Sequence, residues 1–102
     1  MSNMLYILGD RLAQLTGTQE MICRGMLRLS IMDSLPNMQT ADGQQALAYM
    51  KAMTYADWQV AIESQALSSR LAAIRVKEPA TVVAQLKRTL VEKQSLLTLS
   101  AR

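Results

Sequence analysis

The side chains that carry most enzymatic chemistry are scarce in this sequence. Its 102 residues include no His and a single Cys. Imidazole acid–base catalysis is therefore excluded. The usual zinc constellations of Cys and His cannot assemble either. Asp and Glu are scattered, with no close pair to mark a carboxylate site. There is no Gly-rich phosphate loop. Ser64, Ser68 and Ser69 have no base near them in sequence, and serines at helix ends usually act as caps. Cys23 sits among Met21, Ile22 and Met26, which reads as a buried structural thiol. One Cys also excludes an internal disulfide framework. The expectation is a protein that is no enzyme, needs no cofactor and works by binding.

Charge is the remaining chemistry, and it is unevenly placed. The net charge is +3. Residues 1–65 hold four basic and six acidic side chains, and residues 66–102 hold seven basic and two acidic. The basic residues of the second part are Arg70, Arg75, Lys77, Lys87, Arg88, Lys93 and Arg102. A basic end of this kind suits nucleic acid or an acidic partner. A solvated helix face is the plainer alternative.

The elements that must position these charges are helical. Half of the residues are apolar, only 4% are aromatic, and there is no Phe. Leu, Met and Ala carry the apolar load; they favour helices, and strand-forming residues are few. The fold class is all-α, and 102 residues make one domain, 1–102. Eight Met residues fit core filling first and an adaptable binding surface second. Asp10 and Arg11 interrupt the apolar start, and no apolar run approaches the length of a membrane span. The expected location is the cytoplasm.

Leu5, Leu8, Leu12 and Leu15 form a stripe in steps of three and four. Ile22, Met26 and Leu29 continue its phase, with Gly17 between the halves and Thr18 placed to cap a second helix. Residues 3–34 are thus two helices or one with a weak point. So long a seam needs the chain's own later helices or a second copy as its partner, which favours a homodimer built on Leu5, Leu8, Leu12 and Leu15. Pro36 ends the region, and residues 35–41 read as a loop. Asp42 with Gln45 and Thr54 with Asp57 resemble two capping boxes. The first opens a helix with Leu47, Met50 and Met53 on one face. The second opens a short helix carrying Trp58, Ala61 and Ile62. Gln65 to Ile74 aligns Leu67, Leu71 and Ile74. Pro79 starts a last helix with Val83, Leu86, Leu90 and Leu97 as its stripe.

The C-terminal half has a helix-turn-helix outline, with helix 66–75, turn 76–78 and a second helix from 79 bearing Thr81, Gln85, Lys87 and Arg88. Such side chains suit base edges and phosphates. Many helical hairpins share the outline, and the turn glycine is missing.

Three stretches together resemble one family. Leu5-Tyr6-Ile7-Leu8 through Arg11-Leu12 resembles the first helix of the FlhD-like flagellar master regulators and their relatives on conjugative elements. Met26-Leu27-Arg28-Leu29-Ser30 is similar to the family's Met-Phe-Arg-Leu-Gly segment, with Leu27 and Ser30 departing from it. Met53-Thr54-Tyr55-Ala56-Asp57-Trp58 through Leu67 is similar to its capped helix and following turn, and Val82 to Leu86 falls where its next short helix lies. The chain is longer than the family between Ser30 and Thr54. Ser69 stands where family members often carry a dimer-bridging cysteine, so no covalent dimer is implied.

The resemblance implies an all-α homodimer acting with an FlhC-like, zinc-containing subunit, the hetero-oligomer binding promoter DNA and recruiting RNA polymerase. It maps the family's polar positions to Arg28 and Gln65. The reading is therefore five to six helices, with N-terminal helices in a homodimer seam and a helix-turn-helix-like C-terminal half. The function expected is that of a transcriptional activator subunit for flagellar or conjugative-transfer genes. Its expected DNA-binding residues are Arg28, Gln65, Arg70, Arg75, Lys77, Lys87 and Arg88. The alternative is a helical protein-interaction module, such as an anti-activator or a chaperone, with no DNA contact.

Overall fold

Apolar residues at helical spacing, punctuated by Gly17, Pro36, two capping boxes and Pro79, give six α-helices among the described residues. The computed structural model describes residues 3–38 and 42–94. The helices are α1 (Asn3–Thr16), α2 (Glu20–Ser34), α3 (Gly43–Ala52), α4 (Tyr55–Ile62), α5 (Gln65–Ala73) and α6 (Pro79–Glu92), with a 3-10 turn at Pro36–Met38 after α2. No strand occurs among the described residues. No helix among them is long and apolar enough to cross a membrane.

Helix α2 is the centre of the packing. It lies against α1, α4 and α5, while α6 closes over α1, α4 and α5. The α1–α2 corner is made by Gly17, whose φ of 72° is in the left-handed region that glycine adopts without strain. Its N–H bonds the Ala13 carbonyl at 2.8 Å. Thr18 does not cap α2; the N-cap position is Gln19, with no side-chain hydrogen bond. Just above the corner the two helices come close at Gly9. A Cβ there would lie 2.6 Å from Arg24 Cγ.

The Leu stripe of α1 serves this internal packing. Leu8 and Leu12 are wholly buried in the single chain, and Leu5 and Leu15 are half-buried against the same core. Leu8 and Leu12 therefore have no surface left in this conformation to offer a second copy. The companions of the stripe are the chain's own later helices.

Both capping boxes form as the sequence predicts. Asp42 and Gln45 satisfy each other's backbone N–H groups, and so do Thr54 and Asp57. Ser64 caps α5 by accepting from the Leu67 N–H at 3.2 Å. Pro79 sits in the first turn of α6. Trp58 is fully enclosed, and Cys23 is buried as expected. Burial pushes the Cys23 thiol above its ordinary pKa, and a hydrogen bond with Thr16 partly offsets this. Ser30 is buried on α2 and gives its hydroxyl to the Met26 carbonyl at 2.7 Å. Its burial therefore leaves no unsatisfied donor.

Three expected stripes are met only in part, since Met50 and Met53 on the first and Leu86 and Leu90 on the last are buried as expected while other members are not. On α3, Ala46 and Met50 face inward while Leu47 is 55% exposed. On α6, Val82 is buried with Leu86 and Leu90, and Val83 is only half-buried. On α2, Met26 is buried but Ile22 and Leu29 point outward. Leu97 and Arg102 lie outside the described residues.

Candidate nucleic-acid interface

The basic half of the sequence becomes α5, the α5–α6 turn and α6. The turn is built by the end of α5. Val76 N–H bonds the Leu71 carbonyl at 3.0 Å, and Arg75 N–H bonds that of Ala72 at 2.9 Å. This crossed pair is a Schellman cap, whose left-handed residue is usually glycine. Here that residue is Arg75, with φ 67°. A non-glycine residue in this region costs on the order of 1 kcal/mol. The turn glycine that seemed to be missing is thus replaced by an exposed arginine in the glycine conformation.

Helix α6 presents a polar face next to that turn. Its buried ridge is Val82, Leu86 and Leu90. Thr81 and Arg88 are exposed and Gln85 is half-exposed on the other side. Thr81, Gln85 and Arg88 follow at steps of four and three on α6, so they form one outward line, and Lys77 lies in the turn before the helix. Thr81 donates to Glu78 at 3.2 Å, which ties the first turn of α6 to the loop. No ion pair engages Arg75, Lys77 or Arg88 among the described residues.

The other nominated residues are placed differently. Arg70 donates to Asp33 at 2.6 Å and clamps α5 to α2. Lys87 pairs with Glu63 at the end of α4, and that hydrogen bond raises its pKa. Both cations are engaged within the fold, so they are poor phosphate donors. Gln65 is exposed at the start of α5 and donates to Ser69 at 3.3 Å. Arg28 is exposed on α2. It stands five residues from Asp33, about 140° around the helix, and so on the flank away from the Arg70 clamp. The fold therefore leaves Arg75 and Lys77 exposed in the turn and Arg88 exposed roughly 14 Å along α6 from its start, holds back Arg70 and Lys87, and sets Arg28 apart. Thr81 and Gln85 share the outward line of Arg88 on α6. Their four-residue spacing was the signal that relates them.

No group of His, Cys, Asp or Glu suited to a metal ion occurs among the described residues. No protein family, curated protein or solved structure matches the chain.

Proposed function

We propose that the chain is a DNA-contacting subunit of a transcriptional activator. In this reading it works as a homodimer with an FlhC-like, zinc-containing partner at promoters read by RNA polymerase. Its own contribution is to phosphates, from the α5–α6 turn and the outer line of α6. The observation that carries the reading is Arg75. A cation occupies an exposed left-handed position where glycine would be cheaper by about 1 kcal/mol. Lys77 shares its turn and Arg88 lies further along α6, neither held in an ion pair within the described residues. Backbone strain kept at an exposed cation is the pattern expected where the side chain serves a ligand rather than the fold.

Few phosphates can be neutralised by so small a set. Binding by the isolated chain should be weak, sequence-independent and salt-sensitive, with a Kd of about 10⁻⁴ to 10⁻⁶ M. Sequence preference should need the partner subunit.

Arg75→Gly separates the two roles of this residue. It should stabilise the fold by about 1 kcal/mol through relief of the left-handed strain. It should also weaken binding to every duplex alike and lower the salt slope by about one. Thermal melts and fluorescence-anisotropy titrations across salt measure both. Greater stability with unchanged affinity and salt slope would refute the phosphate contact. The protein-interaction reading would then take its place.

A further inference from the structure

Seven large apolar side chains remain exposed among the described residues. Tyr6, Leu47, Val60 and Val91 stand singly on four different helices. Met21, Ile22 and Leu29 stand together on α2, 79%, 48% and 44% exposed. Isolated exposed apolar residues are ordinary, whereas a contiguous set on one face marks an interaction surface.

Two of the three, Ile22 and Leu29, lie one heptad apart, and Gly25 and the half-buried Met32, whose other side packs on the core, extend their line at steps of three, four and three. This is the seam of a two-heptad coiled coil. Its centre is open: a Cβ built on Gly25 meets nothing within 4 Å. Another helix can therefore approach the backbone there. The flanks carry opposite charges at a defined spacing. Arg28 precedes the seam residue Leu29, and Asp33 follows the seam residue Met32. In heptad terms these are a g and the next e position, which meet across a parallel pair of identical helices. Arg70 engages only Oδ2 of Asp33, and the Asp33 side chain stays 53% exposed.

We propose that this face of α2 docks against the same face of a second copy, with the two α2 helices parallel. Ile22, Gly25, Leu29 and Met32 form the seam, and Arg28 of each copy pairs with Asp33 of the other. The self-complementary charge spacing selects a second copy as the occupant. The proposal rests on the pairing of copies in the reading above and on none of its DNA contacts. The seam is only about two heptads long, so the buried area falls at the small end of specific interfaces, below about 1,200 Å². The pair should dissociate in the micromolar range.

Sedimentation equilibrium tests this on the full chain. Ile22→Asp and Leu29→Asp change residues exposed in the single chain, so helicity by circular dichroism should be kept. Each should weaken self-association by about a hundredfold or more. Arg28→Glu should weaken it several-fold and remove most of its salt dependence. Leu47→Asp, on an exposed apolar residue elsewhere, should have no effect. In a Cys23→Ala background, Leu29→Cys should form a disulfide-linked dimer under mild oxidation. A wild-type chain that stays monomeric at high micromolar concentration would overturn both the pairing and this surface. Pairing that is insensitive to Ile22→Asp and Leu29→Asp would overturn the surface and leave the pairing standing. Loss of pairing in those variants without cross-linking at position 29 would overturn the parallel arrangement.

Discussion

Two glycines on neighbouring helices should respond to alanine with opposite signs. Gly9 lies inside α1 and Gly25 inside α2. In each case alanine gains about 1 kcal/mol of helix propensity. The surroundings differ. At Gly25 the new methyl group enters open space. At Gly9 it falls 2.6 Å from Arg24 Cγ, with Arg24 Cα at 3.5 Å and Cβ at 3.6 Å behind it. The obstruction is the root of the side chain, not its flexible end. Arg24 is also held by Asp10 at 3.0 Å and Glu20 at 3.1 Å, and it stacks on Tyr6 at 4.6 Å. Relief therefore requires α1 to move from α2, or Arg24 to leave its partners. Overpacking of this kind costs about 1–3 kcal/mol, and these exposed ion pairs add less than about 1 kcal/mol. Gly25→Ala should raise stability by about 1 kcal/mol, while Gly9→Ala should lower it by about 1–2 kcal/mol. The propensity term cancels between the two variants, so their difference of about 2–3 kcal/mol reports the helix contact alone. Urea denaturation at low micromolar concentration, where self-association is small, measures it. For a domain of this size each 1 kcal/mol corresponds to roughly 4–8 °C in Tm. Equal stabilisation by both substitutions would refute the close approach of α1 and α2 at Gly9.

Leu8→Asp should destabilise the single chain itself by about 3–5 kcal/mol, not merely separate copies. Leu8 is fully enclosed, and an uncompensated buried charge takes a large share of a total of about 5–15 kcal/mol; an unchanged urea midpoint in the Leu8→Asp variant would refute that burial. Alkaline pH should weaken the fold through Cys23. Its thiol pKa is raised above 9.0 by burial, so folding favours the protonated form; that contribution is complete below the unfolded pKa and is lost as pH rises through the folded one. The advantage of wild type over Cys23→Ala in urea midpoint should therefore be constant near neutrality and narrow above about pH 9; a gap that stays constant through pH 11 would refute the shift.

The local elements were legible in the sequence because their signals are short-range. A capping box needs only residues three apart, and Asp42–Gln45 and Thr54–Asp57 form where the sequence places them. Proline lacks the N–H that a helix interior requires, so Pro79 fixes the start of α6. The absence of His, the single Cys and the charge asymmetry are composition, and no folding step alters them. The tertiary structure decided which apolar residue faces which neighbour. Leu47 and Ala46 are both compatible with a helix, and only the position of α3 on the core selects Ala46. The heptad phase of Ile22, Met26 and Leu29 is continuous in sequence, yet α2 turns Met26 inward and the other two outward. Its neighbours α1, α4 and α5 occupy only part of its circumference. Charge availability was likewise a tertiary matter. The basic residues are equal in sequence, but Asp33 and Glu63 come within reach of Arg70 and Lys87 only after folding. Arg75 is left exposed by the left-handed turn it occupies. A side chain's type fixes what chemistry it can perform; the fold fixes whether it is free to perform it, because burial and pairing depend on residues far apart along the chain.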